Sequence, residues 1–312
     1  MKIKTGQRRL DANESPLFLR AAEYVMAQTY DVVYPQYSAL ELIPVSGEGG
    51  PGVETIVYRQ FDQVAIAKII NNFATDFPRV DVRGKEFRQN VKDIGNSYGW
   101  NVQEIRRAIQ SGLDLDGMRA RVAREAHVRL QNKIAWFGDT QADLKGLIYH
   151  PNVTKAAAVT GGWVAGVTSN DLIMKDVNTA IQGPYLLTKG VEMVDTCLLP
   201  LDKYSLLATT PYSTVVPTFL LEILQKGNPG VLFKPVFEMG GLPTNPRTGA
   251  VASTNVILTF RRDPSKVWLS IPQDFEQMEP DKQGMDYVVP CHSRCAGIIT
   301  PYPLSIRVTD GI

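Results

Sequence analysis

The hydrophobic and polar positions of this chain fall into three patterns, and each predicts a different kind of element. The clearest pattern is helical. Residues 118–137, "MRARVAREAHVRLQNKIAWF", place Met118, Val122, Ala126, Leu130 and Ile134 in an unbroken i, i+4 row opposite Arg121, Arg124 and Arg129. At ~1.5 Å per residue this predicts a helix about 30 Å long, stopping at Gly138. His127 lies beside the row with no His, Cys or carboxylate three or four residues away on its side, so it reads as a partly buried helix residue and not a ligand.

Shorter helices carry their own punctuation. Over 13–30, Ser15 is a candidate N-cap, Pro16 a first helical residue, and Leu17, Ala21, Tyr24 and Val25 share a face. "NVQEIRRAIQSG" has a capping-box pair, Asn101 and Glu104, and closes at Gly112. Further on, "SNDLIMKDVNTAIQ" aligns Ile173, Val177 and Ile181, "LDKYSLLAT" follows the short apolar strand "VDTCLLP", and "PTFLLEILQKG" runs from Pro217 to Gly227. Helices and strands alternate from about residue 150, which predicts an α/β subdomain, with Cys197 a buried thiol inside its strand.

The third pattern is extended. "VETIVYRQFDQVAIAKII", residues 53–70, is rich in β-branched residues without helical period and reads as one long strand. Both its faces are mixed: Ile56, Tyr58, Val64 and Ile66 share a side with Glu54, Gln60 and Asp62. After a turn region near "FPRVDVRGK", the segment "EFRQNVKDIGNSYGW" is expected to return antiparallel, giving a two-stranded ribbon without a core of its own. Such a ribbon is marginal in water and needs another surface to lie on. The last sixty residues are strand-rich and broken by proline and glycine.

Composition adds exclusions. The chain of 312 residues is 44% hydrophobic and 21% charged, as folded soluble proteins are, and its 33 basic and 32 acidic side chains leave no field to gather nucleic acid or anionic lipid. The basic start "MKIKTGQRR" has no apolar stretch behind it and reads as a solvated terminus, not a secretory signal. The most apolar run, "KAAAVTGGWVAGV", is too short and glycine-rich to span a bilayer. Three cysteines argue for a reducing compartment.

Candidate chemistry is sparse. No Walker loop, dinucleotide fingerprint, nucleophile elbow or zincin motif occurs, and "GEGGPG" at 47–52 precedes a strand and not the helix a phosphate site requires, so it reads as a hinge. One cluster stands out: "YVVPCHSRCAG", residues 287–297, holds Cys291, His292 and Cys295, the donor types of a thiol or metal enzyme. Read as a strand, it puts Val289, Cys291, Cys295 and Ile299 on one side and His292 with Arg294 on the other, and separates the cysteines by about 13 Å. That spacing predicts packing cysteines, with no catalytic, cofactor-binding or metal residues and no cofactor. It leaves Arg294 as a candidate for an ionic contact between subunits.

The order of parts, arm, long hairpin, long helix, α/β subdomain and returning strand, resembles the major capsid proteins of tailed bacteriophages with the Hong Kong 97-type fold, which encapsulin shells share. "IAWFGDTQADLKGLIYHPNV" resembles the family's segment after its spine helix, and "VDTCLLPLDKYSLLAT" the strand and helix that open the axial domain. "YVVPCHSRCAGIITPYPLSIRVTDGI" is similar to the long peripheral-domain strand. "LDANESPLF", "GKEFRQNVKDIGNSYGW" and "PQDFEQMEPDKQGMDYVVPCHSRCAG" resemble one phage subgroup, and the likeness covers nearly the whole chain.

The resemblance implies an α+β fold. Its parts would be an N-terminal arm over 1–47, an extended β-hairpin loop over 48–99, a peripheral domain with spine helix over 100–149, an axial domain over 150–275, and return strands of the peripheral domain over 276–312. It implies a non-enzymatic structural protein that self-assembles into hexamers and pentamers of an icosahedral head around double-stranded DNA. Scaffolding, portal and decoration proteins would be partners, DNA contact weak and non-specific, and no membrane involved. The location would be the virion, after assembly in the host bacterial cytoplasm. Lys68, Lys85 and Lys92 are available for the crosslink some members form, but no motif here supports one. The alternatives are an encapsulin-like nanocompartment shell and an enzyme built on Cys291, His292 and Cys295.

Overall fold

The long helix, Leu115–Phe137, stops where Gly138 takes up a left-handed φ of 75°, as the sequence predicts. Which face it buries differs from the expectation. In the computed structural model, which describes residues 37–64, 81–111, 115–164, 166–213 and 218–312, Met118, Val122 and Leu130 of the apolar row are 41%, 65% and 38% exposed. Of the row only Ile134 is buried, together with Ala123, His127, Gln131 and Asn132 beside it. The cause is the polar surface on which the helix lies: Asn96 Nδ2 donates to the Ala123 carbonyl (3.0 Å), and His127 Nδ1 sits 2.7 Å from Ser293 Oγ. At these two contacts the sheet presents polar groups that an apolar row would leave without partners.

That surface is a sheet centred on Asp286–Cys295, antiparallel to Lys92–Asn101 on one edge and to Gln273–Gln277 and Asp281–Gln283 on the other. The pairing with Lys92–Asn101 corrects the expected hairpin. Only Asp81–Asn90 returns along Thr55–Val64, in register from Thr55 opposite Asn90 to Val64 opposite Asp81. From Lys92 onward the chain leaves the ribbon and joins the sheet, and "FPRVDVRGK" is already strand from Asp81. Residues 65–70 of the predicted strand, and the helix predicted over 13–30, lie outside the described residues.

The hairpin has two unlike faces. On one, Tyr58 stacks on Phe87 at 5.2 Å, with Lys85 Nζ 5.0 Å from the Phe87 ring. On the other, Phe61 lies across its cross-strand partner Gly84, where an added Cβ would come within 3.1 Å of the ring. Beside it Arg59 pairs with Glu86 (2.8 Å). Val57, Phe61 and Val82 on this face are 47%, 64% and 56% exposed.

A second sheet orders its strands Thr154–Ala157, Arg307–Asp310, Val256–Phe260, Thr196–Leu199 and Leu232–Pro235, with Val256–Phe260 antiparallel to both neighbours. Every residue of Val256–Phe260 is buried, because both faces are covered. Helices Asn170–Leu187, Leu201–Thr209 and Leu220–Gly227 pack Ile173, Val177, Leu207 and Leu224 against Cys197, Leu199 and Ile257 on one face. Leu198, Leu258 and Val308 on the other join Ile134, Trp136 and Leu147 in a central core. Arg307–Asp310 is thus a member of the α/β sheet, which corrects its expected place among return strands over 276–312.

Two local details explain the helices. Pro184 sits inside Asn170–Leu187, two residues beyond the predicted segment's end, and cannot donate to the Ala180 carbonyl one turn back; Thr259 Oγ1 donates to that carbonyl instead (3.0 Å). The helix expected from Pro217 begins at Leu220, because Tyr212 N–H bonds the Thr218 carbonyl and Leu220 N–H the Thr210 carbonyl, holding 218–219 in a bridge. Asp176 is buried on the first of these helices and accepts from Val159 N–H, Thr160 Oγ1 and Trp163 Nε1 at 2.7, 2.6 and 3.0 Å, which fixes the preceding loop.

His150 gives the fold a pH dependence. Burial, with Lys145 and Lys155 nearby, lowers its pKa from 6.5 to about 4. Above pH 6.5 the ring is neutral in both folded and unfolded chains; between there and about 4 only the unfolded chain takes the proton, so stability falls as pH drops, by up to about 3 kcal/mol. Burial lowers His127 as well, in the same direction. Urea unfolding of subunits at about pH 7 and about pH 4.5 should show most of this loss removed by His150→Gln.

Candidate functional site

The cysteine cluster resolves first. Asp286–Cys295 alternates as the sequence predicts: Val289, Cys291, Ser293 and Cys295 are buried beneath the long helix, while His292 and Arg294 point to the opposite side. The single run expected through Ile299 is two strands, because Gly297, at φ 76°, breaks it and starts Gly297–Ile299 in a different sheet. Cys291 packs against Val289 and Ala123, and Cys295 belongs to the central core. Burial raises the thiol of Cys291, pushes that of Cys295 up to about 11, and raises that of Cys197. A nucleophilic or metal-binding cysteine requires the reverse shift. Among the described residues no three His, Cys, Asp or Glu side chains are grouped to hold a metal ion.

Arg294 has a partner inside the chain. Its Nε donates to Asp93 Oδ1 at 2.6 Å and its Nη1 to the Pro51 carbonyl, with the residue only 9% exposed. This corrects the expected contact between subunits, and the position of its two acceptors explains the geometry. Pro51 precedes the outgoing hairpin strand, and Asp93 follows the returning one. Arg294 therefore clamps both legs of the ribbon at its root, where Val91 N–H also bonds the Glu54 carbonyl (2.9 Å). His292 Nε2 lies 3.7 Å from the same Asp93 oxygen. The glycine-rich segment before Pro51 turns through left-handed φ values at Gly49 (107°) and Gly50 (72°), as a hinge requires. The hinge and the arginine are each legible in the sequence; their contact depends on a register between residues 243 positions apart, which no local pattern encodes.

The described surface carries several exposed apolar groups. Met118 and Val122, on the helix row expected to be buried, form an open groove with Tyr98, Arg119, Ala123 and Ala126. Leu186, Leu187, Val191 and Met193 are exposed by 52% to 70% at one end of the α/β layer. Val57, Phe61 and Val82 of the hairpin are exposed as well. Among the described residues no helix is long and apolar enough to cross a membrane.

Comparison with known proteins gives a consistent picture. A family model described as "Major capsid protein" matches residues 66–312. No match is found among curated proteins. Among solved structures the chain is similar to the capsid of Myoviridae phage XM1, at 17% identity and a TM-score of 0.80, covering 94% of this chain and 98% of that one. It is also similar to a structure from Mycobacterium phage Bobi (12% identity, TM-score 0.65, 96% and 98% covered). A third likeness is to the capsid of an empty GTA particle (10%, 0.63, 97% and 99%).

Proposed function

The chain belongs to the major capsid protein family, and from that premise we propose that its hairpin lies across a neighbouring copy when subunits close into a shell. The protein is a structural component of a virion shell, with the Hong Kong 97-type capsid fold. The observation that carries the proposal is the ribbon Thr55–Val64 and Asp81–Asn90: in its described part Gln89 alone is buried, and Val57, Phe61 and Val82 face outward. A second copy supplies the cover that the subunit's own core does not.

The shell is built from hexamers and pentamers around double-stranded DNA. A net charge of +1 favours weak, non-specific DNA contact. Residues 100–149 and the strands before 300 act as a peripheral domain, and 150–275, completed by Arg307–Asp310, as an axial domain. Assembly takes place in the host cytoplasm with portal, scaffolding and decoration proteins as partners. The subunit has no enzymatic role; the raised thiols and the separation of His292 from them support this.

The test is electron microscopy of the purified full chain, produced alone and together with the scaffolding protein of the same virus. Closed icosahedral particles are expected from at least one preparation. Monomers alone in both would overturn the reading.

A further inference from the structure

Gln89, the buried side chain of the described ribbon, reaches the loop that follows the long helix. It is 4% exposed, and its Nε2 donates to the Asp143 carbonyl at 3.2 Å. Asp143 stands at a left-handed φ of 53°, where a residue other than glycine is uncommon. In that conformation its carbonyl meets a side chain 54 positions earlier in the chain.

The loop is a firm support. Gly138 and Asp139 pair with Lys145 and Leu144, and Gly146 lies so close to Gly138 and Phe137 that a Cβ there would have no room. Asp139 Oδ1 accepts from the N–H groups of Gln141 (2.8 Å) and Ala142 (3.2 Å). The N–H groups of Leu147 and Ile148 bond back to the carbonyls of Ala135 and Trp136, so the whole turn is tied to the last turn of the helix. What Gln89 holds is therefore the end of the long helix.

Two different elements thus hold the ribbon at two places. Arg294, on the sheet strand, ties both legs at the root through Asp93 and Pro51. Gln89 is four residues nearer the tip than Asp93 and ties the returning leg to the helix end. One support fixes where a lever pivots, and a second one off the pivot fixes its angle. Gln89 shares a ribbon face with Phe87 and Tyr58, so Val57, Phe61 and Val82 occupy the face turned away from this second support.

We propose that Gln89 is a positioning residue: through the Asp143 carbonyl it sets the pitch of the hairpin against the long helix, and so the angle at which one copy meets the next in the shell. The inference rests on the reading of the hairpin as a contact between copies. To that reading it adds a determinant of shell diameter, because the rotation between neighbouring copies decides how many of them close an assembly. From Gln89 to the far end of its strand at Asp81 is about 26 Å, so a 10° change of pitch moves that end by about 5 Å.

The substitution Gln89→Met keeps the length and volume of the side chain and removes the donor. Subunits should melt within about 3 °C of the parent, since a single hydrogen bond is lost. Spin labels at positions 61 and 133 report the hairpin against the long helix, and they attach selectively because the three native cysteines are buried. In isolated subunits of the variant the distance between the labels should shift or spread by about 5 Å. Particles of the variant should be of altered or mixed diameter in electron micrographs. Asp143→Gly is the matched control: glycine holds the left-handed φ and keeps the carbonyl, so distance and diameter should stay as in the parent. A Gln89→Met chain with the parental label distance, or with particles of the single parental diameter, would overturn the inference and leave the shell reading intact. An equal shift in Asp143→Gly would contradict it as well. A parental chain that never forms particles would overturn the shell reading and the role in diameter together; the label distance, read on subunits alone, separates that failure from a Gln89 that holds nothing.

Discussion

A subunit in which residues 58–87 are replaced by Asn-Gly folds and closes no shells. The two-residue turn joins Val57 to Arg88, which are cross-strand partners, and spares Gln89, whose Nε2 donates to the Asp143 carbonyl. Little stability goes with the described part of the removed segment. Its described side chains, Phe61 at 64% exposure among them, are mostly in solvent, and the Tyr58–Phe87 stack is internal to the ribbon. The melting midpoint should therefore move by no more than about 3 °C. Sedimentation should show only small species under conditions where the parental chain forms particles, and shells of normal size from the variant would remove the hairpin from the assembly argument. Phe61→Asp is the milder version, costing the subunit at most about 0.5 kcal/mol as an exposed substitution while placing a charge where a neighbour's surface is expected.

Arg294→Ala is the second large effect, and it acts through leverage. The described strands alone extend the ribbon by roughly 33 Å, so a 10° change at the root moves the far end by about 6 Å. The alanine variant loses the bonds to Asp93 and Pro51 together. Because Asp93 is 64% exposed and re-solvates, the subunit itself should lose only about 1–2 kcal/mol. Assembly should fall far more, since the hairpin no longer leaves the body in one direction. Two further variants identify the cause. Arg294→Lys keeps the charge beside Asp93 but not the two-pronged reach, and should assemble partially. The exchange Asp93→Arg with Arg294→Asp restores an ion pair yet cannot donate to the Pro51 carbonyl, and should not restore shells. Full rescue by that exchange would reduce the clamp to a simple charge pair. Pulsed electron-spin distances between labels at positions 61 and 186 give a direct reading, broad in the alanine variant and narrow in the parent.

Elements with local causes were legible in the sequence. The long helix ends at Gly138 as its punctuation predicts, Ile173, Val177 and Ile181 share a buried face, and the alternation from Val289 to Cys295 is as expected. The bare hairpin was legible too, as a strand with two mixed faces. What escaped depends on distant partners. Met118 and Val122 belong to the strongest apolar row in the chain and still face outward, because the sheet beneath the helix presents Asn96 and Ser293, and the helix turns Ala123 and His127 toward it. Lys92–Asn101 continues the hairpin in sequence yet pairs with a strand some two hundred positions away. Arg294 was placed on the correct face, but with its partner in another subunit and not at the ribbon's own root.

Arg307–Asp310 fills a gap between Thr154–Ala157 and Val256–Phe260, and this sets a schedule for synthesis. On the ribosome the other four strands of this sheet emerge first, and Thr154–Ala157 and Val256–Phe260 keep facing unpaired edges until residue 310 is made. A chain that lacks Arg307–Asp310 should therefore carry an unfilled sheet and be open to degradation, which limited proteolysis of the shortened chain would show.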